Sequence, residues 1–185
     1  DIIVRRRETG GLVNIQATNA PHMLFSEDNV VAKFNHNKSQ WGLFYNLSAR
    51  NFKKTYTDID ETYVLENKTI HRVQEGLHDQ NKHFTHNIDL SYNLTEQDKY
   101  VFNVVFRNRV YDAPCLNQSN KLYDAADADN YIFSRLKNKQ SSYTPSLDLY
   151  YQRTLPKNQM LTMSVTGTLM HTDNNRLYHE YTPQA

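Results

Sequence analysis

Cysteine is nearly absent from this chain. Cys115 stands alone among 185 residues, which excludes an intramolecular disulfide and any zinc cluster built from cysteines. Glycine is also scarce, at positions 10, 11, 42, 76 and 167. That leaves little material for a phosphate-cradling loop, and no Gly-x-Ser-x-Gly elbow, phosphate-binding glycine loop or zinc-protease helix motif occurs. An excess of one charge is missing as well. Lysine and arginine number 21 against 20 aspartates and glutamates, so no basic field points to nucleic acid. No apolar run approaches the ~18 residues of a transmembrane helix. That last absence leaves a membrane open, because a transmembrane barrel strand needs only ~9–11 residues of alternating character.

What the chain has instead is aromatics in a polar background. It carries 13 tyrosines and 8 phenylalanines, yet its mean hydropathy is −0.78. Disordered chains lack aromatic and β-branched residues, so this composition describes an ordered chain with a thin core. The length allows one sizeable domain, with two as an upper limit.

The organising stretch runs from His86 to Tyr111. Ile88, Leu90, Tyr92 and Leu94 alternate with Asn87, Asp89, Ser91 and Asn93. Thr95–Lys99 has no apolar member and reads as a turn, after which Tyr100, Phe102, Val104 and Phe106 alternate against Asn103, Arg107 and Arg109. Period two puts successive side chains on opposite faces of a strand, and two such runs around a short polar turn make an antiparallel hairpin.

The same alternation marks further strands. Paired glycines and Leu12–Thr18 read as a turn and a short strand, preceded by a possible strand at Asp1–Val4 and the basic run Arg5–Arg7. Phe25–Asp28 reads as a linker. Val30, Ala32 and Phe34 start a meander, and Trp41, Leu43, Tyr45, Leu47 and Ala49 share one face of a strand running towards Tyr56, with Phe44 interrupting the polar face. An outer hairpin is expected at Thr62–Leu65 and Thr69–Val73, a strand extension at 130–139, and alternating runs at 147–152 and 161–169. The connections at 36–40, 95–99 and 156–158 are short, whereas 58–82 and 112–140 read as long loops. Brief turns at one rim and long loops at the other are the asymmetry of outer-membrane barrels. The fold expected is all-β: an antiparallel meander of about 8–10 strands, part of such a barrel.

Gly10-Gly11-Leu12-Val13-Asn14-Ile15-Gln16-Ala17-Thr18 resembles the end of the plug domain in TonB-dependent outer-membrane receptors, where a Gly-Gly or Ala-Gly pair precedes an Ile/Val-Asn-Ile/Val strand and a nearby threonine. The meander that follows is similar to the first barrel strands of that family, particularly its Bacteroidetes-type members. The resemblance implies residues 1–28 as the plug end and linker, and 29–185 as part of the wall of a roughly 22-stranded barrel. It also implies location in the bacterial outer membrane and uptake of a large nutrient, a metal chelate or an oligosaccharide, energised by a TonB-type complex. No enzymatic activity is expected. The chain opens on Asp1 without Met and ends at Tyr181–Ala185, and we expect it to be a piece of a longer protein. Part of a barrel has two unpaired edges, so in isolation it should self-associate.

Few residues stand out as site candidates. Asn103, Arg107 and Arg109 share the polar face and are candidates for a substrate-touching lumen lining, against the alternative of a wetted surface. Asp124, Asp127 and Asp129 offer the oxygen ligands that Ca²⁺ prefers but lack EF-hand spacing; a solvated loop is the simpler reading. His83 and His86, three apart, fall on opposite faces, so joint metal ligation is not expected, and no cofactor is expected. Asn-x-Ser/Thr at Asn37, Asn46, Asn67, Asn93 and Asn117 follows from the abundance of those residue types. The alternatives to a receptor barrel are a soluble all-β domain that binds a ligand or carbohydrate, with the apolar stripe packed as a core, and an extracellular polysaccharide-active enzyme using paired carboxylates.

Overall fold

The computed structural model describes residues 9–22 and 24–182. Asp1–Val4 and Arg5–Arg7 lie outside the described residues. Within these bounds the backbone is nearly all antiparallel strand and contains no α-helix. Ten strands share one sheet: β1 (Gly10–Ala20), β2 (Phe25–His36), β3 (Ser39–Thr55), β4 (Ile59–Leu65), β5 (Lys68–Leu77), β6 (Asp79–Glu96), β7 (Tyr100–Asp124), β8 (Asp127–Leu155), β9 (Gln159–Thr168) and β10 (His171–Tyr181).

The connectivity is a meander. β1 pairs with β2, β2 with β3, β3 with β6, β6 with β7 and β7 with β8. The other strands prolong these. β7 carries β8 along one flank, and on its other flank β6 and β5 follow each other end to end. β4 prolongs β3 in the same way, and β9 and β10 share the far flank of β8. The sheet curls into an open half-barrel. Tight turns join the long strands, and three of them use left-handed residues, Asn37, Asp98 and Lys157, with φ of 51°, 60° and 64°. Asn and Asp tolerate that region because their short polar side chains bond locally.

Two sequence expectations change here. Residues 58–82 and 112–140 are strand rather than long loops: β4 and β5 turn at Glu66-Asn67, and β7 and β8 turn at Ala125-Ala126. The rim asymmetry survives as hairpins of unequal projection, not as irregular chain. Phe25–Asp28 is the start of β2 rather than a linker, because its backbone is registered against both Ala17–Ala20 and Leu47–Arg50. The organising hairpin is present as β6–β7, with Leu94 opposite Phe102 and Leu90 opposite Phe106. The outer hairpin and the strand extension at 130–139 are present too.

Register aligns the alternation from strand to strand. One rung runs Phe34, Trp41, Tyr92, Val104, Leu149, Val165; the next runs Ala32, Leu43, Leu90, Phe106, Leu147. The opposite face shows Asn29, Asn46, Asn87, Arg109, Thr144 on one rung. One surface of the sheet is thus mainly apolar and the other mainly polar, with Val31 and Phe44 interrupting the polar surface and Asn108 the apolar one. Nothing among the described residues covers the apolar surface. Ala113 is the one fully buried apolar residue among those described, whereas on the apolar surface Trp41 is 54% exposed, Leu90 43% and Val165 57%. Soluble monomers rarely leave so wide an apolar face uncovered.

Candidate functional site

The polar face carries a cross-strand ladder of side-chain hydrogen bonds. Asn46 Nδ2 donates to Asn29 Oδ1 at 2.8 Å, and Asn87 Nδ2 donates to Asn46 Oδ1 at 3.0 Å. Beside it the two candidate arginines are paired: Arg107 with Asp148 on β8 and Arg109 with Asp89 on β6. Arg109 Nη1 also donates to the Ile88 carbonyl at 3.2 Å. Asn103 lies on the same face, opposite Asn93 and Tyr150. The three residues are together as the sequence expected, but each guanidinium is matched by a carboxylate. Half-exposed pairs of this kind contribute little stability, about 0–1 kcal/mol each. Their effect is to cancel charge along the wall.

Above the ladder, where β3 breaks into β4 and β5 into β6, the same face holds a recess of about 510 Å³. Phe52 and Tyr56 come from the end of β3 and the residues after it, Asp79, Asn81 and His83 from β6, and Asn120 from β7, with Asn138 of β8 closing the far side. No lysine or arginine lines it. Two features shape it locally. Gly76 allows close approach, since a Cβ there would sit 2.5–3.0 Å from the backbone N, O and C of Thr57. A bulge between Ala113 and Leu116 adds a residue to β7 relative to β8, which bends the strand and raises its twist.

The recess is polar and poorly satisfied. Ser119 Oγ donates to Asp79 Oδ1 at 3.0 Å and Thr55 Oγ1 donates to the Asp79 carbonyl at 3.1 Å. Asp79 Oδ2, His83 Nδ1, Asn120 Oδ1 and Asn138 Oδ1 are buried without a partner. Burial, and then the nearby Arg50 cation, lower the pKa of His83, so it is uncharged at neutral pH. Its ring lies 6.1 Å from that of Tyr111.

The other candidates are dispersed. Asp124 Oδ1 accepts from the Ala126 amide at 3.0 Å and so caps the β7–β8 turn; Asp127 and Asp129 lie on β8. Among the described residues no group of three or more His, Cys, Asp or Glu side chains converges for a metal ion. His86 is on the apolar face, with Nδ1 2.9 Å from the Tyr45 hydroxyl, away from His83. Sequence reasoning missed the recess because most of its walls fall in stretches read as loops. The alternation of Leu116, Gln118, Asn120 and Leu122 with Asn117, Ser119 and Lys121 was the available signal.

No family model matches the chain, and no curated protein resembles it in sequence.

Proposed function

We propose that this chain is part of the wall of an outer-membrane receptor barrel of the TonB-dependent type, with its apolar face against lipid and its polar face lining the lumen through which a large nutrient passes. The observation that carries this reading is the uncovered apolar band. On β7 it spans Tyr100 to Val110. At about 3.3 Å per residue that stretch is roughly 33 Å long, and a strand tilt near 45° reduces its height to about 23 Å, close to the ~25 Å apolar band of outer-membrane barrels. Aromatic residues gather at both borders. Trp41 and Tyr92 rings lie 4.3 Å apart at the end with the short turns, and Tyr143 stacks on His171 at 5.1 Å at the other, as expected of interfacial girdles.

The charge-matched polar face and the unequal rims support the same reading. The chain would act as a transporter rather than an enzyme, in the bacterial outer membrane, with energy supplied through a TonB-type complex reached by other parts of the protein. Reconstitution into liposomes containing brominated lipids tests it. Fluorescence of Trp41, the sole tryptophan, should be quenched strongly. A protein that stays monodisperse and unquenched without detergent would instead be the soluble ligand-binding domain.

A further inference from the structure

The two faces of the sheet treat their cations differently. On the polar face Arg107 and Arg109 are each matched by a carboxylate across the strand. On the other face, beyond the apolar band, the alternation of β8 that carries Leu149 and Leu147 continues to Lys139, Lys137 and Arg135. All three are exposed. Lys82 joins them from β6, on the face of Phe84 and Leu90, with Nζ 5.0 Å from the Phe84 ring centre. No carboxylate stands opposite any of the four. Lys137 faces Asn117 and Leu177, Arg135 faces Ser119 and His179, and Lys82 faces Asn51 and Cys115. Asp112 and Asp173 flank Ser141 one rung nearer the band, but among the described residues none of the four cations is in an ion pair. Same-face neighbours on a strand lie about 6.6 Å apart, so the β8 row is three like charges with no protein anion between them. Such a row is a built-in field for an external anion.

The height of the row selects the anion. Tyr143, opposite Val110, marks the border of the apolar band. From there Lys139 is about 13 Å along the strand, or roughly 9 Å in height at a tilt near 45°. The headgroup layer reaches about 5–8 Å beyond the hydrocarbon on each side, and a lysine stem lets its ammonium bend back towards that layer. Lys82 is level with Lys139, beside the β7 bulge, while Lys137 and Arg135 continue the row outward. A small headgroup would reach only the first of these cations, whereas a bulky one with phosphates on its sugars would reach the row. An anion that carries its own acyl chains also satisfies the apolar band beneath. We infer that this basic row binds the phosphates of phosphorylated glycolipid headgroups in the leaflet at the rim of the long hairpins. The inference rests on the apolar face meeting lipid.

Reconstitution of the full chain into phosphatidylcholine liposomes holding equal amounts of diphosphoryl lipid A and its dephosphorylated form tests this. The lipid retained after gentle detergent extraction is counted by native mass spectrometry. The phosphorylated form should be preferred by tenfold or more, and the preference should fall as salt is raised. Lys137→Gln together with Lys139→Gln should lower it by tenfold or more, since a surface cation near anionic lipid contributes about fivefold. Lys33→Gln, on the polar face near the opposite rim, should leave it unchanged. Circular dichroism checks that each variant keeps the sheet, and Lys82→Gln, with a loss of about fivefold, serves if the double variant is not folded. Equal retention of the two forms, an undiminished preference in the variants, or displacement of the lipid by inorganic phosphate at equal concentration would each overturn the inference. Quenching of Trp41 by brominated lipid in the same liposomes separates the two ideas. Trp41 quenched with no phosphate preference sinks the lipid site alone, and a chain that enters no liposome sinks the membrane reading and the site together.

Discussion

Single residues in this sheet act through what they leave room for. Gly76 is the clearest case, since the backbone of Thr57 occupies the space a side chain would need. Gly76→Ala should push the Tyr56–Asp58 segment off β5, break the Gly76 amide's 2.8 Å hydrogen bond to Asp58 Oδ1 and destabilise the outer hairpin by about 1–3 kcal/mol, as overpacking does. Faster amide exchange in β4 and β5, with β6 and the lower half of β7 unchanged, is the expected result. Glu96 gives a pH-dependent case at the opposite rim. Hydrogen bonds from Lys99 and then Lys38 hold its carboxyl at about 2, against an ordinary 4.5. A folded-state pKa below the unfolded one contributes stability above the unfolded value, and that contribution is lost as pH falls through the folded one. The β6–β7 turn should therefore be insensitive to pH from 8 to 5 and loosen only between 4.5 and about 2. The Glu96 carboxyl resonance, followed by NMR, should titrate in that acidic range; a midpoint near 4.5 would contradict the ion triad.

At the level of strands, the apolar alternation was readable because one face of β3, β6, β7, β8 and β9 carries apolar side chains and the other mostly polar ones, as Leu43, Leu90 and Phe106 show against their neighbours. Above that band both faces carry polar side chains. There the sequence loses its amphipathic contrast, and Asn117–Lys121 looks the same whether paired or free, which is why the upper half of β7 was expected as a loop, and why only Thr62–Leu65 and Thr69–Val73 stood out as strand within 58–82. Strand length was hidden for the same reason, while Leu12–Thr18 was legible from its own branched residues. The β7 bulge makes a prediction at this scale. Without the bulge, the extra residue would exchange the two faces of everything beyond it. Ala113 pairs with Gln140 and Leu116 with Asn138, so deleting Pro114 should remove the extra residue and leave the pairing and facing of Leu116–Asp124 unchanged, with only the local bend and twist lost. Amide protection of Ser119–Asp124 and of Tyr100–Val110 should both persist. Protection lost above the bulge would mean that the bend itself holds that part of the strand.

For the whole molecule the decisive property is that the sheet is open. β1 pairs only with β2, and β9 and β10 pair only with β8, so the described residues present two rows of unpaired backbone groups. Exposed long edges of this kind recruit further strands. Light scattering of the full chain in detergent should therefore report dimers or higher species, and a short peptide matching β9 should compete for the β1 edge. A strictly monomeric particle would show that the edges are closed in some other way.

The up-and-down path also has a consequence for assembly. Each long strand is joined to its neighbour by a turn of a few residues, so every pairing surface is completed by chain that has only just emerged, and the ordering cost of each loop closure is small. Such a sheet can grow by one ribbon at a time from either border, with each addition reading its alignment from the one before. The width of the sheet is then a matter of how many ribbons are laid down, and two ribbons could be added or removed without disturbing the two-faced pattern of those that remain.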